Sequence, residues 1–139
     1  MSFEAFGTAG DAGLRAEAGT LELLLADLAL GFAALSSPSE ISPAAARQVA
    51  LSAAGAGELA VKFLNELVYL ADTAGFLPAG ADIVIAKDGG ELRLNAALRG
   101  EDSAFVRHPR GLLVKAATYH NLKIEERGGR WTAEVILDI

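Results

Sequence analysis

Trp131-Thr132-Ala133-Glu134-Val135-Ile136-Leu137-Asp138-Ile139 is the stretch whose period decides the class of fold. Read in twos, Trp131, Ala133, Val135 and Leu137 share one face, and Thr132, Glu134, Ile136 and Asp138 share the other. That alternation is the mark of a half-buried β-strand. A strand of this kind is fixed in a sheet, so its last residue is held and not frayed. The Asp138 carboxylate and the α-carboxylate of Ile139 are then expected side by side. Two carboxylates so close repel, which raises a pKa or calls for a cation, and a hard, oxygen-seeking metal is the natural neutraliser. The plainer alternative, and the one the terminus alone favours, is an exposed end with both charges solvated.

Working back, Arg127-Gly128-Gly129-Arg130 is a turn that folds this strand onto the preceding segment, 112–126, which also reads as strand. Val114, Ala116, Thr118, His120, Leu122 and Ile124 share one side of it, so His120 is expected on the apolar face. A hydrogen-bonded core histidine is the first reading of His120 and a site residue the second. Ile83-Val84-Ile85, a Lys87-Asp88-Gly89-Gly90 turn, and Leu92, Leu94, Ala96 and Leu98 predict a β-hairpin. Leu77-Pro78 and His108-Pro109-Arg110-Gly111 read as loops.

The first half of the chain supplies two helices. Asp11-Ala12-Gly13-Leu14-Arg15-Ala16-Glu17-Ala18 alternates as a first strand, and Thr20 is placed to cap a helix that begins just after it. Leu21, Leu24, Leu25, Leu28, Phe32 and Leu35 recur at three and four, the stripe of an amphipathic helix, which Ser36-Ser37-Pro38 stops. Residues 44–54 are ambiguous between helix and strand. A second helix carries Leu59, Ala60, Phe63, Leu64, Leu67, Val68, Leu70 and Ala71 on a broad apolar face, with Gly75 at the expected C-cap. The sum is an α+β domain over residues 1–139, with two helices packed on a mixed sheet of about six strands.

Composition narrows the function. At 139 residues, 52% hydrophobic and 22% charged, the chain is globular. With no cysteine it has no disulfide, no thiolate zinc site and no cysteine nucleophile. The start Met1-Ser2-Phe3-Glu4 lacks the pattern of a signal peptide, and the longest charge-free stretch, 28–39, is too short for a membrane span. A cytoplasmic protein is expected. A net charge of −6 argues against stable nucleic-acid binding. Arg107, His108, Arg110 and Lys115 form a local basic cluster that reads equally as a phosphate or acidic-partner site and as a solvated loop.

Asp11 follows Gly7-Thr8-Ala9-Gly10, an approach that lets the backbone come near a ligand, though an Asp there is more often a turn former. Glu66 lies at the edge of the second helix's stripe, as a solvated charge or a partly buried anchor. No nucleophile elbow, phosphate loop or His-x-x-His spacing is present.

Several segments together resemble the archease family. Asp11-Ala12-Gly13-Leu14-Arg15-Ala16 matches the second half of that family's opening His-Thr-Ala-Asp-x-Gly-Ile-x-Ala motif. Gly19-Thr20-Leu21-Glu22, Ala29-Leu30-Gly31 and Phe63-Leu64-Asn65-Glu66-Leu67-Val68-Tyr69-Leu70 also fit, the last with Phe63 where the family usually has Trp. The most specific segment is Val114-Lys115-Ala116-Ala117-Thr118-Tyr119-His120, followed by Trp131-Thr132-Ala133 and Asp138-Ile139. The resemblance implies a non-catalytic accessory protein that assists an RtcB-type RNA ligase in tRNA splicing and RNA repair, by promoting guanylation of the ligase's histidine and repeated turnover. It further implies a metal site formed by Asp11, Asp138 and the carboxylate of Ile139; such an all-oxygen set suits a divalent cation (Ca²⁺, Mg²⁺ or Mn²⁺), and His120, Lys115 and Glu66 are candidate supporting residues. One departure stands out: Thr8-Ala9-Gly10 precedes Asp11 where the family has His-Thr-Ala, so the His is lost.

Overall fold

The computed structural model describes residues 3–8 and 11–139. Strand β1 (Phe3–Thr8) pairs antiparallel with β2 (Asp11–Ala18), which pairs in turn with the last strand, β8 (Arg130–Asp138). The far side of β8 is shared by β6 (Ala116–Ala117) and β7 (Lys123–Arg127), which completes a five-stranded sheet. A second, three-stranded sheet has the order β3-β5-β4, from β3 (Ala45–Ala53), β5 (Glu91–Glu101) and β4 (Leu77–Asp88). The helices are α1 (Leu21–Ser36), α2 (Ala56–Ala74) and the four-residue α3 (Ala104–Arg107).

Local chemistry explains the helix limits. Thr20 is extended, and its hydroxyl accepts the Leu23 N–H at 3.1 Å, so α1 starts where an orphan donor is satisfied. α2 ends at Gly75, whose φ of 63° is left-handed. Gly75 N–H reaches Ala71 O and Phe76 N–H reaches Leu70 O, closing the helix with a glycine no other residue would replace without strain. α1 packs on β1, β2 and β8 of one sheet and on β4 of the other, while α2 lies along β3 and β6. The core that results joins Leu14, Leu24, Leu28, Phe32, Phe63, Leu67, Leu94 and Val135 in one cluster.

The α+β class and the two long helices are as the sequence predicts; the sheet is not. Among the described residues the strands form two sheets in place of one mixed sheet, every pairing is antiparallel, and eight strands replace about six. Alternation identifies strands but says nothing of their partners. Leu77-Pro78 opens β4 and is not a loop: this is an edge strand, where a proline at the start forfeits no ladder bond, and the register shifts between Pro78 and Gly80. The expected strand over 112–126 is broken into β6 and β7, because the chain turns at His120-Asn121, with Asn121 at a φ of 53°. His120 therefore leaves the apolar face and is exposed.

Candidate metal centre

The register of β2 on β8 does what local sequence could not show. Asp11 is the direct partner of Asp138, followed by Ala12 with Leu137 and Gly13 with Ile136. Residues opposite each other on an antiparallel pair present their side chains on the same face, with Cβ atoms about 4.5–5.5 Å apart. The alternation assigns that face. Ala12, Leu14, Ala16 and Ala18 on β2, and Ala133, Val135 and Leu137 on β8, are buried in the core, so Asp11 and Asp138 stand on the outer face. Asp11 is half-buried and Asp138 exposed, and Ile139, just past the end of β8, packs against the core margin.

The outer face is ordered in rows. Beyond the aspartates lies a flat apolar row in which the Phe6 ring covers Gly13, close enough to exclude a Cβ there. Next comes a cross-strand ladder of alternating charge, Glu4, Arg15, Glu134 and Lys123, each the register partner of the one before. Arg15 pairs with Glu4 and donates from Nε to Glu134 at 2.8 Å, while its guanidinium lies 4.6 Å from the Phe6 ring centre. Hydrogen bonds to Glu4 first and Glu134 second raise the Arg15 pKa further. The charge of Arg15 is thus matched by two carboxylates.

The remaining residues singled out from the sequence are scattered around this pair. Lys115 has an exposed side chain, but its backbone N–H donates to Asp138 O at 2.7 Å. His120 lies at the turn, 3.3 Å from Asn121 Nδ2. Glu66 is half-buried on α2; its neighbour Asn65, not among the candidate site residues, is the residue that grips β6. The lost histidine falls on Thr8 or, if Gly10 is an insertion, on Gly7, both in β1, whereas Ala9 and Gly10 lie outside the described residues. Among the described residues no group of three or more His, Cys, Asp or Glu side chains is arranged to hold a metal. The arrangement offers two side-chain carboxylates on paired residues.

The basic cluster of the sequence divides. Arg107 and His108 both turn onto Glu101, at 3.1 and 2.8 Å, and Arg110 stacks over Phe105 at 3.8 Å. Glu101, buried, also accepts the Ser42 N–H at 2.8 Å. That backbone donor first, then His108 and Arg107, hold its carboxyl at about 2 against burial, which acts in the opposite sense. No spacing rule flags this node, because its members come from three separate segments. Among the described residues no helix is long and apolar enough to cross a membrane.

A model of the archease protein family matches residues 3–139. The archease of Methanopyrus kandleri is 29% identical over 140 residues, covering the whole of both chains. That of Thermococcus gammatolerans is 32% identical over 131 residues, 93% of this chain and 92% of its own. Among solved structures, a Methanobacterium thermoautotrophicum protein determined in solution superposes with a TM-score of 0.86 at 28% identity over 99% of each chain. A Thermotoga maritima archease crystal structure, described as a possible chaperone, shares the fold with a TM-score of 0.60 at 18% identity, over 96% of this chain and 94% of its own.

Proposed function

Because the chain belongs to the archease family, we propose that it is a metal-binding accessory protein that activates an RtcB-type RNA ligase in tRNA splicing and RNA repair, acting in the cytoplasm and catalysing nothing itself. The observation that supports the metal site is the register of Asp11 on Asp138. Two carboxylates set side by side at a sheet surface repel unless a cation neutralises them. An all-oxygen donor set without thiolate or imidazole suits Ca²⁺, Mg²⁺ or Mn²⁺ better than zinc. In this reading Asp11, Asp138 and the Ile139 carboxylate hold the ion. When bound, the ion supplies positive charge that can be presented to the phosphates of the ligase's nucleotide. The partner is the ligase protein; with a net charge of −6, no stable contact of its own with nucleic acid is needed.

The test is guanylation of an authentic partner ligase with and without this protein. Acceleration at substoichiometric amounts is the expected result, and its absence removes the activator reading. A second reading, a chaperone-like adaptor whose cation only pins the strand end, draws on the way Asp138 O is already tied to Lys115 N–H and Ile139 to the core margin. Under it, metal stabilises the fold and leaves guanylation unchanged.

A further inference from the structure

We propose that Asn65 is the positioning residue of the metal centre: from helix α2 it holds the two-residue strand β6 against β8, and so fixes where Asp138 and Ile139 stand. The inference rests on the metal-site reading of Asp11, Asp138 and Ile139, and adds to it a residue that touches no metal.

β8 has unequal supports. Along one edge it has all of β2, from Asp11 opposite Asp138 to Ala18 opposite Trp131. Along the other edge β7 covers only Arg130 to Glu134. The end that carries the site depends on β6, which pairs just Ala116 with Asp138 and Ala117 with Leu137. Three further bonds tie the same segment to the strand end. Lys115 N–H donates to Asp138 O at 2.7 Å, and Thr118 donates to Ile136 O from both its N–H and its hydroxyl, each at 3.0 Å. Two paired residues are far too few to hold themselves as a strand in water.

Asn65 supplies what is missing. Its Oδ1 accepts the Ala117 N–H at 2.8 Å, and its Nδ2 donates to Ala117 O at 3.2 Å. The two bonds to one residue reproduce the reciprocal exchange of an antiparallel strand pair. A side-chain amide thus stands in for a third strand beyond β6, on the side away from β8. Ala117 is buried, so without this partner both its polar groups would be left unsatisfied. The helix is a rigid base for such a grip, because Phe63, Leu64, Leu67 and Val68 around it are buried in the core. The line of force runs α2, Asn65, Ala117, Leu137, Asp138. Residues that orient metal ligands from outside the coordination shell typically change metal affinity by about 10–100-fold when removed.

The experiment compares wild type with Asn65→Leu, close in size and unable to make either bond, and with Asn65→Ser, whose hydroxyl is too short to make both. Two quantities are read: residue-resolved amide hydrogen exchange of the metal-free protein, and Mn²⁺ affinity by titration. The proposal expects Lys115, Ala117 and Thr118 to exchange at least about tenfold faster, while amides of the β3-β5-β4 sheet keep their rates. It also expects Mn²⁺ affinity to fall by about tenfold or more. Acceleration of both sheets alike assigns Asn65 to general stability and overturns the proposal, as does selective loosening with unchanged Mn²⁺ affinity. Failure of both variants to fold makes Asn65 a folding determinant and overturns it as well. Wild type that takes up no Mn²⁺ is a separate outcome: it removes the metal-site reading, and this role falls with it.

Discussion

Truncating Leu67 to alanine removes three carbons from a fully buried side chain in the middle of α2, among the residues that join both helices and both sheets in one core. At about 0.8 kcal/mol for each methylene-sized group, the lost transfer energy is about 2.4 kcal/mol. If about 40 Å³ of the vacated space stays unfilled, a penalty of about 24 cal/mol per Å³ adds roughly 1 kcal/mol. The expected loss is therefore about 3–3.5 kcal/mol, within the usual range of about 2–5 for leucine truncations. Urea unfolding is the assay, with the midpoint moving and the slope unchanged, since the change is to the folded state and not to its compactness. Tyr69→Ala is the control. Tyr69 lies two residues on, around the helix from Leu67, and is 58% exposed, so its loss should stay within about 0.5 kcal/mol. A Leu67→Ala loss well under 1 kcal/mol, or equal losses at both positions, would refute the assignment of the helix's buried face.

Three further outcomes are expected. Glu101 is held at about 2 against an ordinary 4.5, so it adds stability that is complete above about 4.5 and is lost as the pH falls toward about 2. Glu101→Gln should flatten the acid side of the stability curve in that window; curves of the same steepness for both proteins would contradict it. A Cβ built on Gly13 would run into the Phe6 ring, so Gly13→Ala should cost about 1–3 kcal/mol, and Phe6→Ala in the same chain should recover much of it. Purely additive losses in that double-mutant cycle would show the ring does not cover the glycine. Added Ca²⁺, Mg²⁺ or Mn²⁺ should raise the melting temperature by mass action. A tag joined to Ile139, which turns its carboxylate into an amide, should weaken the rise, and an undiminished rise would exclude that carboxylate as a ligand.

Much of the secondary structure is legible in the sequence because it depends on near neighbours. Thr20 caps α1 by a bond three residues away, Gly75 ends α2 through its own φ, and the faces of β8 derive from a period of two. The features that stay hidden either lack a local period or depend on distant pairing. β1 pairs with β2 along its length, yet nothing in Phe3-Glu4-Ala5-Phe6-Gly7-Thr8 marks it as a strand. The alanine-rich segment 44–54 has helical propensity, and its pairing with β5 overrides that preference. His120 departs from its expected place because one left-handed residue, Asn121, ends the alternation that would carry it inward. For the site, sequence names Asp11 and Asp138 as candidates, but only the β2–β8 register brings them opposite. Asn65 and Glu101 act through residues 52 and 59 positions away, at Ala117 and Ser42, a separation no local pattern encodes.

The central claim is that the carboxylates of the paired aspartates hold a cation and that this cation carries the effect on the ligase. Asp138→Ala tests it most directly, because Asp138 is exposed and its loss leaves the core untouched. The measurement is ligase guanylation with substoichiometric wild type or variant in the presence of Mn²⁺, with Mn²⁺ affinity and melting temperature recorded on the same samples. The account predicts a folded variant that binds Mn²⁺ far more weakly and no longer accelerates guanylation. A folded Asp138→Ala protein that still binds the ion and still activates the ligase would contradict it.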